Sequence, residues 1–170
     1  MPRPVLLTVV TAGVALVVAG CGATTSGTAS PAATTTSAAA PGKAKFDPCA
    51  VLPADGLAKL GISGPPKIDP DTGGCEWIGG DFAVGTQIDN YPLGSRPKGG
   101  DTPTVTPLTI GSHQAELWRS DGQIFCDVDL ALGAQSFNIG VISPDAKSMA
   151  TACASVKELA TAAEPKLPTS

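Results

Sequence analysis

The sequence predicts an α+β fold: an antiparallel sheet of about five strands, with a short N-terminal helix and a C-terminal helix packed on one face, fastened by two disulfides. Three observations carry this. Residues 75–141 hold short runs in which apolar and polar side chains alternate, separated by glycine turns, the pattern of half-buried strands. Helix signatures stand on either side of those runs. Four widely separated cysteines, Cys49, Cys75, Cys126 and Cys153, remain once Cys21 is set aside, an even number as in chains oxidised outside the cytosol.

The chain before the domain sets the compartment. Arg3 gives a charged start, Val5 to Val18 is apolar apart from Thr8, Thr11 and Gly13, and Ala19-Gly20 places small residues before Cys21. These are the parts of a signal peptide over residues 1–20. A spanning helix needs roughly 20 apolar residues, and this run is slightly short. Leu16-Val17-Val18-Ala19-Gly20-Cys21 has the form of a lipobox, so Cys21 is expected to be lipidated. Two acyl chains anchor stably where one is marginal, at about 0.8 kcal/mol per buried CH₂. The expected location is the outer face of the cytoplasmic membrane, with the bilayer as partner through that anchor. Gly22 to Lys45 is mostly Ala, Thr, Ser, Pro and Gly without a large apolar side chain, so residues 21–45 are expected to be a disordered linker.

The 170 residues carry 11 basic and 15 acidic side chains, a net charge of −4, and loss of Arg3 with the signal makes it more negative. That disfavours nucleic acid as a partner, which would need a basic stripe. It also leaves the lipid, rather than a polybasic segment, to hold the membrane.

The domain is expected over residues 46–164, with 165–170 as a disordered tail. Asp47-Pro48 suits a first helical turn, and Leu52, Leu57 and Leu60 share a face of a short helix that Gly61 stops. Ile62 to Gly74 reads as loop. Asp69 and Asp71 match the start of a calcium loop, but Gly73 and Gly80 fill its fifth and twelfth positions, which makes this a turn. Strands follow at Cys75–Ile78, Phe82–Asp89 and Thr104–Ile110, the last an edge strand because Pro107 lacks an N–H. Tyr91 to Pro103 reads as an exposed, mobile loop. Gln114–Arg119, Ile124–Leu132 and Phe137–Val141 complete the strands. Ser143-Pro144-Asp145 starts the last helix with Ser143 as its cap, and a small-residue face of Ala146, Ala150, Cys153 and Ala160 suits close approach to a sheet.

Zinc wants close cysteine pairs, and these four are far apart. Of the three disulfide connectivities, placement favours Cys75–Cys126, both on apolar strand faces, with Cys49–Cys153. Loops of about 50 and 100 residues would each contribute roughly 4 kcal/mol or slightly more.

Together the lipobox, the linker, Phe46-Asp47-Pro48-Cys49-Ala50-Val51-Leu52, Leu60-Gly61, Gly74-Cys75-Glu76-Trp77, Cys126-Asp127-Val128 and Cys153 in an Ala-rich helix resemble the DUF3558 family of actinobacterial lipoproteins. The likeness covers about Phe46 to Ala163. That family is uncharacterised, so the resemblance implies export, lipidation and two disulfides and carries over no catalytic residue. At fold level the domain is also broadly similar to disulfide-bonded extracellular sensor domains of actinobacterial receptor kinases.

Candidate chemistry is sparse. His113 is the one histidine, without a G-x-S-x-G elbow, and reads as a surface or turn residue. Asp127 and Asp129 share a strand face, with Glu116 on a candidate neighbouring strand; such a trio suits a hard cation or, more simply, a solvated sheet face. No catalytic residue, metal or cofactor is assigned. The same face is expected to carry Trp118, Phe125 and Ile78, a patch suited to binding unless the 91–103 loop covers it. The preferred function is a non-enzymatic envelope lipoprotein that binds a protein or small ligand. The alternatives are an envelope hydrolase or metal-dependent enzyme, and a structural envelope protein without a ligand.

Overall fold

The computed structural model describes residues 46–97, 99 and 102–169. Cys21, the signal and the linker lie outside the described residues. Nine elements are labelled here: α1 (Ala54–Ala58), β1 (Lys67–Ile68), β2 (Cys75–Gly79), β3 (Phe82–Asp89), β4 (Thr104–Ile110), β5 (His113–Ser120), β6 (Phe125–Leu132), β7 (Gln135–Ile142) and α2 (Met149–Ala163). Among the described residues no helix is long and apolar enough to cross a membrane.

The fold is α+β, and its antiparallel sheet has seven strands rather than about five, in the order β1-β2-β3-β7-β6-β5-β4. The strand missed in the sequence is β1. It has two residues, too few to show alternation, and it forms because Asp69 folds the chain back. The Asp69 carboxylate accepts from Asp71 N–H and the Thr72 hydroxyl, while Asp69 N–H donates to Gly74 O. Pro107 lies on edge strand β4, where its missing donor breaks no ladder on the open side.

One face of the sheet packs on α2. Val84, Val128, Leu130, Phe137, Ile139 and Val141 have no exposed surface there. α2 meets them with Ala152, Val156, Ala160 and Ala163, also without exposed surface, and its small side chains let the helix lie close. Phe46 stands edge-on to Phe137 at 5.1 Å. Gly56 has a packing role besides its cost to helix propensity. A Cβ there would sit 2.8 Å from Leu159 Cδ2, so any larger residue would force that side chain to shift where α1 meets α2. The cap before α2 is Asp145, whose carboxylate accepts from Ser148 N–H. Ser143, expected in that role, donates instead to Asp145 O.

The disulfides are Cys49–Cys75 and Cys126–Cys153, which corrects the expected Cys75–Cys126 and Cys49–Cys153 pairing. Cys75 and Cys126 do share the helix-side face. However, β3 and β7 lie between β2 and β6, so the two are three strand spacings apart, about 14 Å. A disulfide spans Cα atoms about 4.4–6.8 Å apart. The observed bridges, with Cα separations of 5.4 and 5.1 Å, each join the sheet to the layer above it. Their sequence separations are 26 and 27 residues, worth about 3.5 kcal/mol each in the chain-entropy model.

The C-terminal residues, expected to be a loose tail, are fastened. A 3₁₀ turn over Glu164–Lys166 follows α2, Leu167 is buried in the core, and Lys166 Nζ donates to Val51 O.

Candidate functional site

The strand order fixes what happens on the other face. From β3 the chain must reach β4 at the far edge, crossing β7, β6 and β5, about 19 Å away. The register places the end of β3 and the start of β4 at opposite ends of the sheet, so this connection runs diagonally. α2 holds the other side, and residues 90–97 pass over the outer face as a strap. The region read as an exposed loop is therefore a cover.

Under it the outer-face side chains form cross-strand rows. Ile78, Ala83, Ile142 and Phe125 sit in one row over four neighbouring strands. Ile78 is 68% and Ile142 51% exposed, and Phe125 is half-buried. The next row is Glu76, Gly85, Gly140, Asp127 and Trp118, and the third is Gln87, Asn138, Asp129 and Glu116. The face grades from apolar at one end to amide and carboxylate at the other.

The structure brings Phe125 and Ile78 into that apolar row but removes Trp118 from it. Trp118 is 4% exposed, because Arg96 of the strap lies over its ring at 5.0 Å and over Phe125 at 5.9 Å. Its indole N–H donates to Glu116 Oε2.

Arg96 is the functional residue that sequence reading missed. Its Nη2 donates to Asp127 Oδ2 at 2.6 Å and its Nη1 to Asp129 Oδ1 at 3.5 Å. Asn138 Nδ2 donates to the same Asp129 oxygen at 2.6 Å. Gly140 makes room for this, since a Cβ there would lie 2.7 Å from Asp127 Oδ1. The signal that could have found Arg96 is the Asp127/Asp129 pair itself. Two carboxylates side by side on a covered face require a cation, and Arg96 is a rare candidate among the Pro, Gly and Ser of the strap.

Burial raises both carboxyls against the pull of Arg96. Asp127 shifts upward, and Asp129, 2% exposed, is pushed up to about 6 although Asn138 and Arg96 favour its charged form. Burial also opposes the charge on Arg96, yet the field of Asp127 and Asp129 prevails and raises it. The trio Glu116, Asp127 and Asp129 is thus assembled as foreseen. Its role differs: not a solvated face but a sealed polar network engaging Arg96 and Trp118.

Two open spaces border the network. A trough of about 280 Å³ runs over Gly85, between Glu76, Gln87 and Asn138 and the Asp69–Thr72 turn. A larger recess of about 550 Å³ continues round the end of β3, past Asp71, Thr72, Gln87, Asp89, Asn90 and Tyr91. Gln87 Nε2 donates to Asp89 Oδ1 at 2.8 Å, while Asp89 Oδ2 is buried and receives no hydrogen bond of ordinary geometry. Burial raises the Asp89 carboxyl, opposed by the neighbouring Tyr91 hydroxyl and by Arg96. Burial beside Asp89 moves Tyr91 upward as well.

His113 lines neither space. Expected on a surface turn, it is 2% exposed and clasps the C-terminal residues: Nδ1 lies 3.1 Å from Glu164 Oε1 and Nε2 3.1 Å from Pro168 O. Both partners offer acceptor oxygens, one to each ring nitrogen. Ser112 N–H and its hydroxyl donate to the same Glu164 oxygen and, with His113, lower that carboxyl's pKa. Among the described residues, the one close group of three metal-ligand atoms is Asp47, Cys49 and Cys75, and its two sulfurs are bonded to each other.

No curated protein and no solved structure matches the chain. A family model described as a protein of unknown function, DUF3558, matches residues 16–166, from inside the apolar N-terminal run to the 3₁₀ turn after α2. With that match covering most of its length, the chain belongs to the DUF3558 family.

Proposed function

We propose that this protein is a non-enzymatic binding module of the cell envelope, held at the outer face of the cytoplasmic membrane by lipid on Cys21, and that it binds a small polar ligand beside β3. The observation that carries the reading is the recess at the end of β3. It is within the size of small-molecule sites, and polar groups converge on it. The carboxylates that hydrolysis would use support the non-enzymatic reading, since Asp127 and Asp129 are covered and paired with Arg96. Two measurements test it. Mass spectrometry of the mature chain from its host is expected to show a diacylglyceryl group on Cys21 and loss of residues 1–20; a full-length chain with a free Cys21 thiol refutes the anchoring. Amide NMR with a panel of envelope saccharides and amines is expected to move the signals of Gln87, Asp89, Asn90 and Tyr91 with at least one compound. A silent recess across the panel refutes the binding.

A second reading, docking of an envelope protein, is favoured by the exposed Ile78–Ala83–Ile142 row. Cross-linking in the host before and after Ile78→Lys separates it from the first. Docking on this row predicts a cross-linked species that the lysine abolishes.

A further inference from the structure

We infer that the ligand is a saccharide whose ring is seated on Gly85, in the trough that adjoins the β3 recess at Thr72 and Gln87; this rests on the binding reading above. Glycine inside a strand weakens it, and it marks a bulge, a barrel corner or the close approach of another group. Among the described residues three glycines lie in strands, Gly79, Gly85 and Gly140. Two of them have packing reasons. A Cβ on Gly79 would stand 3.0 Å from Gly61 O and from Ile62 Cα, and one on Gly140 would stand 2.7 Å from Asp127 Oδ1. Gly85 has no such reason. The sheet is open and the pairing of Gly85 with Glu76 and Gly140 runs in unbroken register, so it makes neither a corner nor a bulge. Its φ is not left-handed. A Cβ there would meet nothing nearer than Cys75 O, at an ordinary 3.9 Å. The fold has room for a side chain at this position. Only the trough of about 280 Å³ above it would lose by one, which ties the glycine to what the trough holds.

The walls specify the chemistry. The Asp69–Thr72 side is tied up in its own turn: Asp69 accepts from Asp71 N–H and the Thr72 hydroxyl, and that hydroxyl accepts from Gly74 N–H. Three acceptors remain. Glu76 is exposed and makes no hydrogen bond or ion pair among the described residues. Gln87 donates its Nε2 to Asp89, which leaves its Oε1. The Asn138 amide group serves Asp129 and Asp127, which leaves its Oδ1, 3.8 Å from where a Cβ on Gly140 would stand. These acceptors belong to β2, β3 and β7, so the outer two are two strand spacings apart, about 9–10 Å. An amine concentrates its donors on one nitrogen and cannot reach them all. A sugar ring carries hydroxyl donors around its edge and offers a flat C–H face to a floor without a side chain. At just under the usual range of about 300–1,000 Å³ for drug-sized ligands, the trough suits a single ring.

Calorimetric titration of the detergent-solubilised full chain with arabinose, galactose, glucose, mannose, N-acetylglucosamine and their disaccharides tests this. Saturable binding of at least one is expected, weakened at least tenfold by Gly85→Ala and a few-fold by Glu76→Gln. The distant Glu158→Gln on α2 is expected to bind as the parent does. Gly85→Ala is also expected to raise the melting temperature of the free protein by about 2–5 °C, because alanine fits the strand and restricts the unfolded chain. Lost binding in a more stable variant separates a ligand's seat from a structural glycine. Absence of saturable saccharide binding, parent-like binding by Gly85→Ala, or a Gly85→Ala protein that melts below the parent each overturns the proposal. If a saccharide moves the amide signals of Asp89, Asn90 and Tyr91 equally in the parent and in Gly85→Ala, the Gly85 seat falls while the binding reading stands. If spermidine moves those signals and no saccharide does, the saccharide class falls and the binding reading again stands. If neither kind of probe moves them, both fall.

Discussion

The two faces of the sheet are buried by opposite means. Toward α2 the surface is dry: aliphatic and aromatic side chains meet a helix face of alanine and valine, and two disulfides bolt the layers together. Toward the strap it is polar. Asp127, Asp129 and Asn138 are as hidden as many core residues, and Arg96, lying over the Trp118 and Phe125 rings, reaches the two carboxylates. Apolar packing stabilises wherever water is excluded, whereas buried ion pairs lose desolvation energy that their attraction only partly returns. The first face therefore makes the domain stable. The second fixes where one particular segment lies, at a small or even negative net gain.

That contrast is broken most severely from the helix side. Phe137→Ala, at a position with no exposed surface, is expected to cost about 3–5 kcal/mol in denaturant unfolding. Replacing Cys126 and Cys153 together by alanine should cost about 3.5 kcal/mol by the same measurement. On the strap side, Arg96→Ala leaves two buried carboxyls without their cation. About 2–3 kcal/mol is expected, below the usual penalty for a broken buried pair because Asp129 can take up a proton. Its diagnostic is local: the Trp118 indole should become open to acrylamide quenching while Trp77, on the core side, stays protected. If Arg96→Ala leaves both tryptophans protected, the strap is not held by its arginine.

The pH dependence sharpens the comparison further. Asp129 binds its proton more tightly folded than unfolded, with a folded pKa of about 6 against an unfolded value near 4. Between those limits the native state holds more protons, so this carboxyl contributes stability at the acid end that is lost as pH rises through about 6. Asp127 and Asp89 shift in the same direction. Asp129→Asn should flatten that part of the stability profile relative to the parent, as read from urea midpoints at about pH 4 to 7; an unchanged difference across the window counts against a raised Asp129. The smallest effect belongs to Ile78→Lys, at an exposed site, where unfolding should move by no more than about 0.5 kcal/mol.

The helix-side face was the more legible one. Alternation in Ile124–Leu132 and Phe137–Val141 assigned the apolar sides correctly, and four distant cysteines announced two disulfides. What stayed hidden depends on strand order. Cys75 and Cys126 share a face, but nothing local to either residue reveals that β7 inserts beside β3 and separates them. The same insertion sends the chain across the outer face and turns Arg96 from a loop residue into a clamp. His113 was misplaced for a related reason: its partners, Glu164 and Pro168, lie more than fifty positions away. The recess was not legible at all, since Asp71, in the turn after β1, and Asp89, at the end of β3, are brought together only by the β1–β2–β3 hairpins.

The observed cysteine pairing has a consequence for how the chain matures. Each bridge joins neighbours in the order of the four thiols, and neither ring encloses a sulfur belonging to the other. A polypeptide emerging end first can join Cys49 to Cys75 before Cys126 and Cys153 have been delivered. In a crossed or nested arrangement Cys49 would have to wait for Cys126 or Cys153; in the sequential one each ring closes within its own half of the domain.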